Sequence, residues 1–418
     1  MTAEKVILHS DVNAFYASVE EIYRPELRKV PVAVCGDPEL RHGIVLTKNQ
    51  LAKKTGVLTG QAIWEAKQLC PDLVVIMPNY KLYMEYARMV QEIYCNYTDQ
   101  VEPYGMDECF LDVTGSVGLF GNGEKIANEI RTKISRELGI TVSIGVSYNK
   151  TFAKLGSDMK KPDAVTVITE DNYKHKVWPL PAVDLLFVGR ATALKLYRRY
   201  NIATIGELAN FDVNTLHALL GKPGVILHRY ANGLDFSEVR KIGEEPPLKS
   251  IGNSTTTPRD LRSTQDVYLT MTLLAESVAA RLRENGLKAT TVQISMRTND
   301  MLFVERQAKL KKPSYISSEI ANLAMEIFKN KYKFTSPIRT LGVRGCNLVP
   351  ENQPFQLSLF DNVEKQKKME NLERMVDGIR SKHGFHAVKK ATMLLDRELT
   401  NENPKDEHVN PCNPFLEK

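Results

Sequence analysis

No two of the six cysteines (Cys35, Cys70, Cys95, Cys109, Cys346 and Cys412) stand at the close, paired spacing of a zinc site or a disulfide frame, so reduced thiols in a cytosol are expected. No apolar run approaches the ~18 residues that a membrane span needs, and no basic-then-apolar leader precedes the first strand pattern. Neither a membrane protein nor a secreted one is expected, and the cytoplasm is the expected location. The pattern G-x-x-x-x-G-K-[ST] is missing, which excludes a P-loop. Gly118, Gly121 and Gly123 do not make G-x-G-x-x-G, so a dinucleotide fold has no support either. A strong net charge is missing too: 56 Lys and Arg against 50 Asp and Glu leave +6.

What is there exceeds one hydrophobic core, since 418 residues call for two to four domains. With 43% apolar and 25% charged residues the composition is ordinary for a globular protein. The positive charge is unevenly spread. Residues 248–349 carry sixteen Lys and Arg against eight Asp and Glu, a surplus of eight that leaves the rest of the chain at −2. A surplus held in one module points to a polyanionic partner, nucleic acid first, with a merely solvated surface as the alternative.

The chemistry centres on Val101-Glu102-Pro103-Tyr104-Gly105-Met106-Asp107-Glu108-Cys109-Phe110-Leu111-Asp112-Val113, where two β-prone runs flank a bend carrying adjacent carboxylates. Inside a strand, neighbours point to opposite faces and one acid would enter a core; at a hairpin tip both reach one polar site. A third acid, Asp11, ends the run Val6-Ile7-Leu8-His9-Ser10. From this strand the chain turns into a helix with Phe15, Val19 and Ile22 at helical spacing. A Pro- and Gly-punctuated insertion follows, with short strands at 31–35 and 44–47 and short helices at 50–54 and 63–70. Next come a helix from Tyr80, the acidic hairpin, a helix with Ile126, Ile130 and Ile134 closed by Gly139, and a strand over 141–146.

Without the insertion the order is β-α-β-β-α-β, the split ferredoxin-like arrangement. If strands one and three are neighbours there, Asp11 converges with Asp107 and Glu108 at one edge. Three carboxylates, with no histidine placed with all three, favour Mg²⁺ or Mn²⁺ over zinc. Two such ions about 4 Å apart suit an in-line phosphoryl transfer. Three separately solvated acids are the alternative. Beyond the set, a helix begins at Asn149-Lys150-Thr151 and ends near Lys160-Lys161-Pro162, whose lysines either complement the helix dipole or hold phosphate oxygens.

Residues 180–232 read as helical and basic, with Phe187-Val188-Gly189-Arg190-Ala191-Thr192 like half of a helix-hairpin-helix. Leu219-Leu220-Gly221-Lys222-Pro223-Gly224 is a weaker second candidate. A linker over 243–248 leads to a second β-α-β-β-α-β set, the module with the basic surplus. Gln356-Leu357-Ser358-Leu359-Phe360 follows a Pro-containing spacer, and beyond it Met369, Leu372, Met375 and Ile379 line one helix face. The end from Asn401 is polar and is expected to be disordered.

The blocks Asp11-Val12-Asn13-Ala14-Phe15-Tyr16-Ala17-Ser18-Val19-Glu20, Met106-Asp107-Glu108-Cys109-Phe110-Leu111-Asp112-Val113, and Gly145-Val146-Ser147-Tyr148-Asn149-Lys150 through Lys160-Lys161-Pro162 together resemble the Y-family translesion DNA polymerases, nearest their bacterial DNA polymerase IV branch. The resemblance runs to about Phe360. It implies an α+β multidomain fold: a ferredoxin-like palm (1–14 and 80–170) with inserted small fingers (15–79), a helical thumb with helix-hairpin-helix (171–242), and a linker over 243–248. A second β-α-β-β-α-β little finger (249–349) and a C-terminal tail (350–418) would complete it.

The resemblance also implies roles for particular residues. Asp11, Asp107 and Glu108 would be the catalytic, metal-holding carboxylates, joined by the Val12 backbone carbonyl and loaded with two Mg²⁺ or with Mn²⁺. Tyr16 would be a steric gate against the ribose 2′-hydroxyl, with Phe15 beneath the sugar. Asn13, Thr47, Lys53 and Lys161 would contact the nucleotide. Gly189, Arg190, Thr192, Ser250, Arg339 and Arg344 would contact DNA, and Gln356, Leu359 and Phe360 would dock in a sliding clamp. Where many relatives have Tyr-Glu-Ala-Arg, this chain reads Gln50-Leu51-Ala52-Lys53, which keeps a cation but not the planar fork of arginine.

Expected partners are primer-template DNA, deoxynucleoside triphosphates and the clamp, with no membrane and a monomeric chain on the nucleoid. A non-catalytic scaffold for primer-template and clamp is the main alternative. A palm-fold cyclase is a distant third, since it would have no use for a duplex-gripping module.

Overall fold

The computed structural model describes the chain except residues 1–4, 38–42, 245–246, 333–335, 357–361, 402 and 404–418. It divides into two compact units, one holding the residues up to Gly36 and Ile44–Glu244, the other built chiefly after Glu244. No described helix is long and apolar enough to cross a membrane. The cysteines Cys35, Cys70, Cys95, Cys109 and Cys346 are all free thiols.

Among the described residues the first unit contains eight strands: β1 (Ile7–Val12), β2 (Val32–Cys35), β3 (Val45–Lys48), β4 (Val74–Ile76), β5 (Val101–Pro103), β6 (Glu108–Asp112), β7 (Val142–Ser147) and β8 (Val165–Val167). Five form one sheet in the order β5-β6-β1-β7-β8. Without β8 this is the split ferredoxin order, with β1 antiparallel to both β6 and β7. Flanked on both edges, β1 is buried along its whole length. The helices Tyr80–Tyr94 and Gly123–Leu138 follow the expected apolar spacing, and Tyr83, Ile126, Ile130 and Ile134 are buried.

Two three-residue strands were not expected from the sequence. β8 extends the main sheet parallel to β7, and β4 completes a small sheet β3-β2-β4 in the insertion. Three residues carry too little period-two pattern to be read in advance.

Gly145 sets how deep the helix Lys150–Met159 lies on the main sheet. A Cβ there would stand 1.9 Å from the Ala153 carbonyl oxygen and 2.6 Å from the Ser157 nitrogen. Gly145 pairs with His9 across β7 and β1, so the bare glycine lets the helix bring its side chains over β1. Further along, the helices Arg190–Tyr200, Ile205–Ala209, Val213–Leu220 and Lys222–Ala231 enclose a core with Leu196, Leu208, Leu216 and Leu227.

The second unit has β9 (Ser250–Leu261), β10 (Leu287–Thr298), β11 (Phe303–Ser314) and β12 (Ile338–Pro350). The helices Thr264–Glu284 and Ser317–Lys331 complete the expected β-α-β-β-α-β element order. Its sheet order is β11-β10-β12-β9, so the edge strands differ from those of the first unit although the element order is the same. Val292, Ile294 and Met296 of β10 are buried in the core, while Gln293, Ser295 and Arg297 alternate onto the opposite face.

The helix Val363–His383 meets this unit in an unexpected way. Its apolar stripe is exposed, with Leu372, Met375 and Ile379 at 51%, 67% and 41%. Charges hold it instead: Arg283, its side chain 6% exposed, pairs with Glu373 and Asp377 at 2.6 Å, and Lys288 with Glu370 at 3.0 Å. Arg380 reaches buried Glu276 at 2.8 Å. Apolar spacing identified the helix but not the face that docks.

Candidate active site

Antiparallel pairing sets Asp11 at the end of β1 directly opposite Glu108 at the start of β6. The Val12 N–H donates to the Asp107 carbonyl at 3.0 Å, tying the acidic bend to the same strand end. Residues ninety-six and ninety-seven positions apart thus share one edge for a topological reason. Lys154, from the helix seated on Gly145, reaches both strands: its Nζ lies 2.9 Å from Glu108 Oε2 and 3.5 Å from Asp11 Oδ2. Lys161 Nζ lies 2.7 Å from the same Asp11 oxygen. Asp158 pairs with both lysines, at 3.4 Å from Lys154 and 2.9 Å from Lys161.

The carboxylates repel one another out of water, and their proton affinities show it. Burial, then Asp11, then Glu108 raise the Asp107 carboxyl to about 6. Burial also raises Asp11, against the opposing pull of Lys161. Glu108 goes the other way: burial pushes it up, but neighbouring His9 and the Lys154 ammonium more than reverse that and hold it at about 2. The lysine gains correspondingly, because the attraction of Glu108, Asp158 and Asp11 exceeds the opposing effect of burial.

His9, not singled out from the sequence, stands against one of these acids. It lies two residues before Asp11, on the same face of β1, with Nε2 3.2 Å from Glu108 Oε2. His9 Nδ1 lies 2.8 Å from Ser157 Oγ, which is also 2.7 Å from the Lys154 carbonyl oxygen. Burial drives the imidazole down to about 4, so near neutral pH the ring is uncharged, with Nε2 facing the Glu108 carboxylate.

Among the described residues, no three His, Cys, Asp or Glu side chains form a ready-made metal cage. The donor set nevertheless fits a hard divalent cation. It offers three carboxylates gathered at one edge, whose mutual repulsion a cation would relieve.

The helix Phe15–Tyr23 starts straight after β1, through Ala14 in a left-handed conformation (φ 48°). Phe15 is buried beneath this turn. Tyr16 stacks on Tyr83 with centroids 4.4 Å apart and meets Tyr80 edge-on at 6.0 Å. Burial, Asp107 and Tyr80 push its hydroxyl up to about 12, which keeps it protonated beside the acids. Asn13 is buried; its Oδ1 accepts from Ser143 Oγ at 3.0 Å and its Nδ2 donates to Thr141 Oγ1 at 3.2 Å.

Thr47 lies on β3 and Lys53 on the helix Gln50–Lys54. Among the described residues no contact joins either to the carboxylates. Burial and Lys53 lower the proton affinity of Lys48, so two cations crowd together there.

In the first unit Gly189 begins the helix Arg190–Tyr200 with no side chain capping its N–H groups, and Arg190 is exposed while Thr192 is half-buried. In the second unit Ser250 opens β9, Arg339 is half-buried on β12, and exposed Arg344 helps line a cavity of about 250 Å³ with Gln293 and Ser295. Gln356 follows β12, whereas Leu359 and Phe360 lie outside the described residues.

Sequence reasoning missed His9, Lys154, Ser157 and Asp158 as parts of the site. The signals were present: His9 and Asp11 differ by two on a strand, and Lys154 and Asp158 differ by four on a helix.

Comparison with known proteins gives the same picture. Residues 10–158 match the impB/mucB/samB family, and residues 248–359 match the impB/mucB/samB family C-terminal domain. DNA polymerase IV of Acetivibrio thermocellus is 52% identical over 396 residues, covering 95% of this chain and 99% of the relative. DNA polymerase IV 1 of Bacillus subtilis is 36% identical over 397 residues, 94% of each chain. Among solved structures, a Y-family DNA polymerase chimera shares the fold, with a TM-score of 0.70 at 24% identity over 82% of this chain and 99% of that one. The chain therefore belongs to the impB/mucB/samB family of Y-family DNA polymerases, in the branch that holds the DNA polymerase IV proteins.

Proposed function

We propose that this chain is a template-directed DNA polymerase for low-fidelity translesion synthesis, with Asp11, Asp107 and Glu108 as its catalytic carboxylates. One observation carries the reading: a strand register and a backbone hydrogen bond hold the three acids at one edge, with a lysine spanning two of them. A mere scaffold for DNA has no use for clustered acids whose burial and mutual repulsion lift Asp107 to about 6.

The Val12 backbone carbonyl would complete the ligand set for two Mg²⁺ ions, with Mn²⁺ as a substitute. Bound there, these ions would activate the primer 3′-hydroxyl and offset charge on the departing phosphate oxygen. Tyr16, braced by Tyr83, walls off the space beside a sugar 2′ position, and Phe15 supports it from below. Lys161, with Asn13, Thr47 and Lys53, orients the triphosphate.

In this reading residues 1–14 and 80–170 act as palm, 15–79 as fingers, 171–242 as thumb and 249–349 as little finger. Gly189, Arg190 and Thr192 would meet backbone phosphate at a helix start, with Ser250, Arg339 and Arg344 doing so from the second unit's sheet. The DNA reading also assigns the chain to the cytoplasm, on the nucleoid. The test is primer extension with Mg²⁺ and the four deoxynucleotides, comparing the native chain with Asp107→Ala. Template-directed extension lost in the variant supports the reading, and no extension by the native chain overturns it.

Gln356, Leu359 and Phe360 would dock in a sliding clamp. Support comes from their position in a stretch between two elements of the second unit, β12 and the ion-paired helix Val363–His383. Gln356→Ala combined with Phe360→Ala should reduce clamp-stimulated synthesis by about tenfold or more, the scale of losing one or two anchor side chains. Undiminished stimulation in a clamp-loaded assay would show the motif to be incidental.

A further inference from the structure

We propose that Lys154 is the exchange partner of the divalent cation: its ammonium neutralises the carboxylate cluster in the metal-free protein and must leave it for metal to enter. The inference rests on the polymerase reading of the carboxylates and assigns a role to a residue that reading does not use.

The geometry is specific. Lys154 Nζ touches one acid from each of two adjacent strands, Glu108 at 2.9 Å and Asp11 at 3.5 Å, from a side chain only 15% exposed. Lys161 reaches Asp11 and Asp158 but no acid of the bend. Lys154 therefore sits where hard-cation ligands from β1 and β6 converge, and it contributes positive charge without an acceptor site. A divalent cation held by those oxygens would stand beside the ammonium, and like charges that close repel, so metal binding is a displacement.

The displaced ammonium has somewhere to go. Asp158 lies one helical turn on, 3.4 Å from the same nitrogen, and with a 48% exposed side chain it stands outside the metal-holding set. Lys154 can let go of Asp11 and Glu108 without losing every partner. The incoming triphosphate supplies a second anion, so occupancy by metal and by nucleotide should reinforce each other. The backbone anchor would survive replacement of the side chain, because Ser157 Oγ bonds the Lys154 carbonyl rather than its ammonium.

Competition lowers apparent affinity in proportion to how seldom the cluster is free. A lysine paired nine-tenths of the time raises the apparent dissociation constant about tenfold. Mn²⁺ binding followed by electron paramagnetic resonance, on the full chain with primer-template DNA and a non-hydrolysable deoxynucleotide either absent or present, reads this directly. Lys154→Met should bind Mn²⁺ about tenfold more tightly than the native chain without nucleotide, with a smaller further gain when nucleotide is added. Lys154→Arg keeps the charge and should behave as the native chain does.

Equal or weaker Mn²⁺ binding by Lys154→Met, with native circular dichroism, overturns the exchange role and leaves the polymerase reading intact. Binding that Asp107→Ala does not weaken in the native background locates the ions elsewhere and overturns both. Tighter binding by Lys154→Met and Lys154→Arg alike shows that shape rather than charge is responsible, which also overturns it.

Discussion

Asp107→Ala should cut primer extension by at least ~10³-fold, the cost of losing a metal ligand that acts on the reacting oxygens, while duplex affinity stays within about twofold of native. The separation follows from where the residue sits. Asp107 lies half-buried at the acidic bend of the first unit, whereas the basic surplus proposed to meet DNA phosphate lies in the second. Extension surviving at the native rate would remove the catalytic claim.

The isosteric Asp107→Asn separates function from stability. The folded carboxyl titrates at about 6 against an ordinary 3.8, so the folded protein holds this proton more tightly than the unfolded chain does. Its contribution to stability is complete below about 3.8 and is lost as pH rises through about 6. Above that the ionised group costs up to about 3 kcal/mol. Metal-free Asp107→Asn should therefore unfold at a higher temperature than native protein at pH 7.5 and show no advantage near pH 4. It should be as inactive as the alanine variant. A variant no more stable at either pH would show that the carboxylates do not repel as their burial implies.

The second large effect is expected at Tyr16. Its ring is pinned face-on against Tyr83, and the Tyr83 hydroxyl is in turn anchored on buried Glu20 at 2.7 Å. A braced ring excludes a 2′-hydroxyl by volume. Tyr16→Ala should raise the ratio of ribonucleotide to deoxynucleotide incorporation by ~10²- to 10³-fold, a few kcal/mol of removed clash. Tyr16→Phe should leave that ratio near native, since the ring and not the hydroxyl does the excluding. An unchanged ratio in the alanine variant, measured under single-turnover conditions, would put the gate elsewhere.

Much of this site can be read before any coordinates, because topology does the work. An acid finishing the first strand and two at a later hairpin must meet once β1 and β6 are neighbours, and Asp11 does pair with Glu108. The surroundings of the acids are less legible. Lys154 enters through a helix whose depth depends on the absence of a side chain at Gly145, a property of close approach that periodicity does not encode. His9 reads as one more residue of a buried strand until its ring is seen between Ser157 and Glu108.

In the second unit, element order was readable and sheet order was not, since β-α-β-β-α-β is compatible with either pair of edge strands. The helix Val363–His383 docks by charge because the side chains of Arg283 and Glu276 are buried opposite it and need partners more than Leu372 or Met375 need cover.

The most direct test of the shared carboxylate site is a crystal of the chain with primer-template DNA, a non-hydrolysable deoxynucleotide and Mn²⁺, with diffraction collected at the manganese edge. Two anomalous peaks at ~2.2 Å from oxygens of Asp11, Asp107 and Glu108 are predicted, the usual length of a hard divalent cation–oxygen bond. Peaks elsewhere, or carboxylates still paired with Lys154 and Lys161 in that complex, would contradict it.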